Sequence, residues 1–170
     1  MQAHSLPEHM GMNTQSLHTS LHHPQLRVTS GNVHLQKLEL KGMGEEGEDK
    51  GLVEVVSGSC TLEQCQIEGG AMGHFGGAVR VVGDASSLCV HMCNIHSDSS
   101  GVVVQGGGRA VLQQSTVCEC RASVGVLVAG RGSTLHAQRC RVDRSMNNIR
   151  VEGGGACSGS PAEEPLAVAQ

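Results

Sequence analysis

Tryptophan and tyrosine are missing from this chain, and Phe75 is its only phenylalanine. Sugar rings and unpaired bases usually stack on aromatic faces, so a sugar platform and a single-stranded nucleic-acid groove both lack their ordinary material. Basic charge is scarce too: 12 Lys and Arg stand against 16 Asp and Glu, a net charge of −4. No basic stripe is available to follow a phosphate backbone, and nucleic acid is excluded as the expected partner. No apolar run approaches the roughly 18 residues of a membrane helix. The first residues, "MQAHSLPEHMGMNTQ", have neither a basic start nor the apolar stretch of a secretion signal. A membrane partner is therefore not expected.

Glycine, in contrast, is abundant, with 24 residues, and it recurs in a fixed phrase. "GLVEVVSGSCTLEQCQIE" begins at Gly51, "GAVRVVGDASSLCVHMCNIH" at Gly77, "GVVVQGGGRAVLQQSTVCE" at Gly101 and "GVLVAGRGSTLHAQRCRVD" at Gly125. A fainter copy starts at Leu26 and a truncated one at Ile149. Each unit opens on an apolar pair at i and i+2: Leu26/Val28, Val53/Val55, Val79/Val81, Val102/Val104, Val126/Val128 and Ile149/Val151. The first members are 27, 26, 23, 24 and 23 residues apart. After a glycine corner comes a second set, such as Cys60/Leu62/Cys65/Ile67 or Leu88/Val90/Cys93/Ile95, in which two alternations are joined by a one-residue offset.

Alternation with period 2, bounded by glycine, describes short strands with one buried face. Repeats of this length fall in the solenoid range, and the glycines inside almost every window exclude helical repeats. A coil that circles its own axis brings equivalent strands into parallel pairing without a crossover helix, stacked about 4.8 Å apart. The expected fold is all-β, a parallel β-helix of about six coils over residues 26–152. Residues 1–25 form a leader, read either as a disordered segment or as a short amphipathic cap, and 153–170 have the composition of a flexible tail. The run Gly106–Gly108 is not a phosphate loop, because no Lys-Ser/Thr pair follows it. It marks a corner, as do Gly58, Gly83, Gly130 and Gly132.

The phrase G-V-x-V-x-G-G-x-x-x-L-x-x-C-x-I, in variants from Gly51 to Val142, resembles the right-handed parallel β-helix repeats of the pectin-lyase-like superfamily. The repeats of F-box proteins and SHC-binding proteins are the most similar in character. The resemblance implies a right-handed coil. It leaves activity open, since the superfamily includes polysaccharide lyases and hydrolases as well as non-catalytic scaffolds. The enzymes need carboxylates converging on one outer face. Here the outward column of the first strand reads Arg27, Glu54, Arg80, Val103, Leu127, Arg150, and no column places two acids in adjacent coils. "GHFGG" at 73–77 resembles the Gly-His-Gly of polygalacturonases, but the partner motifs are missing, so His74 is read as a loop residue. The acidic run at 45–49 is read as a solvated loop. No catalytic residue, cofactor or metal site is assigned.

Eight cysteines invite a disulfide or zinc reading. Cys65, Cys93 and Cys140 share one repeat position, and Cys60 lies on another inward column, so these are read as small buried residues. A zinc set drawn from Cys89, His91, Cys93 and His96 fails on parity, because Cys93 points inward and Cys89 and His91 outward. Cys118, Cys120 and Cys157 are the thiols expected to be reachable. Unpaired interior cysteine suits a reducing compartment, the cytosol or nucleus.

The expected function is a non-catalytic interaction scaffold with a protein partner, and the alternative is a glycan-active or glycan-binding protein. The candidate contact surface comprises Val103 and Leu127, expected to face solvent as an apolar break in a charged column, with Val111, Arg80 and Arg150 around them. Uncapped end coils expose sheet edges, so end-to-end self-association is also expected.

Overall fold

The computed structural model describes residues 26–42, 51–69, 76–161 and 168–169. The leader, the acidic run at 45–49, His74 and Phe75 lie outside these residues. The chain winds β1 (Leu26–Val28), β2 (Asn32–Gln36) and β3 (Glu39–Gly42) into a first turn, and β4 (Gly51–Val55), β5 (Gly58–Glu63) and β6 (Gln66–Gly69) into a second. The third holds β7 (Gly77–Val82), β8 (Ser86–His91) and β9 (Asn94–Ser97), and the fourth β10 (Ser100–Gln105), β11 (Arg109–Gln113) and β12 (Thr116–Cys118). In the fifth, β13 (Val124–Ala129) is followed by one long strand, β14 (Thr134–Asp143), that fills both remaining positions. The chain continues through β15 (Asn147–Glu152), β16 (Ala156–Pro161) and β17 (Val168–Ala169).

First strands pair in the order β1-β4-β7-β10-β13-β15-β17, and second strands in the order β2-β5-β8-β11-β14. Third strands run β3-β6-β9-β12 and join the second-strand sheet through β14. Every pairing is parallel, which makes the molecule a parallel β-solenoid of about five turns, with no helix among the described residues. Leu62, Val90, Leu112 and Ala137 occupy successive rungs of one stack, as the repeat predicts. The interior is a narrow column of Val, Leu, Ile, Ala and Cys, and its central members, Val53, Val79, Leu62, Ile95 and Ile149 among them, have no exposed surface.

The two corners of each turn are made differently. After the first strand, Gly83, Gly106, Gly130 and Gly153 take positive φ and stack on one another; a Cβ built on Gly106 would lie 3.3 Å from the Gly83 nitrogen. Glycine meets both demands, the left-handed backbone and the close approach. After the second strand, the offset residues Lys37, Gln64, Met92, Gln114 and Arg139 also have φ near +50° without being glycine. The next residue in each of the last four coils reaches back to relieve the bend. The Cys65 N–H donates to Cys93 Sγ at 3.3 Å, and the Cys93 N–H to Ser115 Oγ at 3.1 Å. Cys93 Sγ donates to the His91 carbonyl at 3.3 Å, Ser115 Oγ to Gln113 at 2.7 Å and Cys140 Sγ to Gln138 at 3.4 Å. The cysteine column is thus buried, as expected, and it also satisfies backbone groups that a purely apolar side chain would leave bare.

The start of the tail continues the coil. Composition marks 153 as the start of a flexible segment, yet β16 pairs with β14, and Cys157 stands opposite Leu135. Cys157 extends the inward column of Val33, Cys60, Leu88, Ala110 and Leu135, a periodic signal that the surrounding Gly, Ser and Pro obscure.

Candidate functional site

The outward column of the first sheet has the register read from the sequence, with Arg27 opposite Glu54, Glu54 opposite Arg80, Arg80 opposite Val103, and Leu127 between Val103 and Arg150. Its exposure differs from expectation. Val103 has no exposed surface and Leu127 only 3%. They form a small cluster of their own with Val124, separate from the solenoid interior, and Ala129 packs beside it. Strand parity is therefore correct, while the inference from outward to solvent-facing is not. Gly77 makes room here, since a Cβ on it would come within 3.0 Å of Val103 Cγ2.

The charged part of the same column is also largely covered. The Glu54 side chain is only 7% exposed, with one oxygen 3.2 Å from Arg27 Nε and the other bound to an Arg80 Nη1. Arg80 Nε is buried without a hydrogen-bond partner among the described residues. Arg150 is exposed and pairs with Glu152 at 3.0 Å. Val111 is half-buried on the outside of β11, in the second sheet, opposite Cys89 and His136. The five candidates consequently do not form one exposed patch. Arg80 is bound to Glu54, Val103 and Leu127 are covered, and Val111 and Arg150 belong to different faces.

The third face carries an arrangement that reading the first two strands did not reveal. Register places Lys41, Glu68, His96, Cys118 and Asp143 on successive rungs. Each follows an inward residue, Leu40, Ile67, Ile95, Val117 or Val142, so taking the fourth inward column and stepping forward by one residue finds all five. Lys41 Nζ lies 3.0 Å from carboxylate oxygens of both Glu39 and Glu68, and these raise its pKa. His96 Nε2 is 3.1 Å from Cys118 Sγ, and His96 Nδ1 is 3.7 Å from a Glu119 carboxylate oxygen.

Glu119 sits at the next corner with φ of +61°, a left-handed conformation unusual for a side chain with a Cβ. Arg144 holds one of its oxygens at 3.0 Å and Arg121 the other at 3.4 Å. The Arg144 hydrogen bond is the main reason its carboxyl lies below the usual range. Burial raises the Cys118 thiol, and the Asp143 and Glu119 carboxylates raise it further. Chemically this is a protonated thiol, an imidazole within hydrogen-bonding reach of it, and a carboxylate behind the imidazole.

The other cysteines divide by burial. Cys120, expected to be reachable, is fully buried, and desolvation pushes its thiol up to about 11. Cys60 is pushed up to about 12 by burial. Cys89 and Cys157 are half-buried, and all eight are free thiols. Of the zinc candidates, Cys93 is inside, Cys89 and His91 lie on the outer face of β8, and His96 stands on β9 beside Cys118 of β12. Among the described residues no group of three or more His, Cys, Asp and Glu is placed to hold a metal ion. No protein-family model, curated protein or solved structure matches this chain.

Proposed function

We propose that this chain is a protein-interaction solenoid and that its contact site is the end of the rod formed by the first turn. One observation carries the reading. The inward residues Leu26, Val33, Leu35, Leu38 and Leu40 are only partly buried, whereas their neighbours one rung on, Val53, Cys60, Leu62, Cys65 and Ile67, are at most 2% exposed. At the same rung β1, β2 and β3 are the terminal strands of their sheets among the described residues, each paired there on one side. An apolar interior flanked by strand edges that no described strand pairs suits a partner that adds a strand and covers the apolar ends. The resemblance of the repeat to pectin-lyase-like β-helices, and to the repeats of F-box and SHC-binding proteins, supports a scaffold role.

The test uses the full chain and a variant carrying Leu35→Lys and Leu40→Lys. Both positions are half-buried, so the added ammonium groups can reach water while blocking strand addition. The partner is isolated by affinity capture, purified and titrated against both proteins, and sedimentation shows whether it is a second copy. Binding should weaken by about tenfold or more in the variant. Equal binding by the two proteins refutes the site, and measurable turnover of polygalacturonate or a related glycan refutes the function in favour of the glycan-active alternative.

A further inference from the structure

The His96–Cys118–Glu119 cluster lies on the third and fourth turns and has no part in the proposed binding. We infer that Cys118 is a base-assisted nucleophile, a modification site at which His96 delivers the thiol to small hydroperoxide oxidants. The geometry follows the logic of an activated nucleophile: a sulfur, a base in hydrogen-bonding reach of it, and a third group behind the base. Sγ to Nε2 is 3.1 Å, and Nδ1 to the Glu119 carboxylate is 3.7 Å. The carboxylate faces the nitrogen that becomes positive when Nε2 takes a proton, so it stabilises the imidazolium as it forms. Arg121 and Arg144 hold Glu119 in place and keep it ionised.

The same surroundings explain why a base is needed. Burial first, and then Asp143 and Glu119, disfavour a resting thiolate, so Cys118 is protonated until an electrophile arrives. As sulfur attacks the nearer peroxide oxygen, Nε2 removes the thiol proton and an S–O bond forms from the sulfur electron pair. The O–O bond breaks with its pair on the departing oxygen. That oxygen leaves as hydroxide, takes the proton back from the imidazolium and becomes water. Sulfur is oxidised by two electrons to the sulfenic acid, and the peroxide is reduced by the same two. The half-buried sulfur admits a small uncharged oxidant, and Arg141 and Arg144 flank the site where negative charge develops.

Hydrogen peroxide is the probe, with dimedone trapping of sulfenic acid and peptide mass spectrometry as the readout on the full chain. Cys89 and Cys157 are internal standards, because they are also half-buried but are held by strands on a different sheet face. Cys118 should be trapped about tenfold faster than either. H96Q, which cannot accept the proton, should slow trapping by roughly tenfold or more. The thermal midpoint is read in parallel.

The wild-type pH profile supplies a second readout that does not depend on any variant folding. Glu68, Asp143, Glu119, Arg121, Arg141 and Arg144 face the pair from β6, β14 and the corners. With His96 as the base, trapping already proceeds below the pH at which the thiol itself ionises, a pH that burial and the neighbouring carboxylates raise. Without it, only the alkaline rise of the thiolate remains. Trapping of Cys118 no faster than Cys89 and Cys157, a folded H96Q with an unchanged rate, or a wild-type profile with only the alkaline rise would each overturn the assignment.

Discussion

Val103 and its neighbour Val102 point to opposite faces of β10, and both are completely buried. Replacing each with alanine removes the same two methyl groups. The lost transfer free energy is about 0.8 kcal/mol per group, and incomplete collapse of the cavity brings each total to about 2 kcal/mol. If the outer face of β10 were solvated, Val103→Ala would cost less than about 0.5 kcal/mol. Urea unfolding followed by circular dichroism decides between the two, provided that m stays constant so that the midpoint shift reports stability.

The expected result is a pair of destabilisations within about 1 kcal/mol of each other, with Leu127→Ala as costly or more so. Val103→Lys should be worse, since it places an ammonium where no water reaches, between the column neighbours Arg80 and Leu127, neither of which is a carboxylate. Val102→Ala costing about 2 kcal/mol while Val103→Ala costs nothing measurable would refute the two-sided burial of this strand.

Glu54→Ala should destabilise by about 3 kcal/mol, because it leaves the mostly buried Arg80 guanidinium uncompensated; Arg27, half exposed, contributes little. At the cysteine column, Cys93→Ser should stay within about 1 kcal/mol of wild type, Cys93→Ala should cost about 1–3 kcal/mol by orphaning the Cys65 N–H, and Cys93→Asp several. Stability should fall above pH 9: Cys60 ionises at about 12 when folded against 9.0 as its reference value, so the unfolded chain loses its proton first. Between those values the loss is about 1.4 kcal/mol per pH unit for that one thiol, and Cys60→Ala, compared with its own neutral-pH stability, should flatten the slope accordingly.

The repeat, the strand positions and the inward columns were legible because burial imposes period 2 on each strand and the coil imposes register between strands. Glycine marked one corner for the same physical reason that it occupies it. The second corner carries Lys37, Gln64, Met92, Gln114 and Arg139, which share a left-handed backbone but no chemistry, and it showed only as a one-residue offset. The signal that pays for that strain lies one residue on, at Cys65, Cys93, Ser115 and Cys140. A small side chain with a lone pair and a weak or strong donor can stack inside and still serve a backbone N–H on one rung and a carbonyl on its own. Read as hydrophobicity alone, serine among cysteines is a substitute; read as hydrogen bonding, it is an equivalent.

Exposure was the property least legible from the pattern, and the reason is general to this architecture. Alternation states which face a side chain points to, and nothing about what lies over that face. On the first sheet the outward column is covered from Glu54 to Leu127, so an apolar outward pair that suggests a docking surface is instead a second, smaller core. On the third face the outward column remains partly open, and there the coil aligns side chains that sequence separates by 22 to 28 residues: His96 with Cys118, and Glu68 with His96. Chemistry in a solenoid is therefore found by reading down a column, with the offset at each corner applied, and then asking which column water still reaches. By that criterion the third face, with a thiol beside an imidazole and a carboxylate behind that imidazole, is where the reactivity we infer would lie, while the first turn is the contact surface we propose.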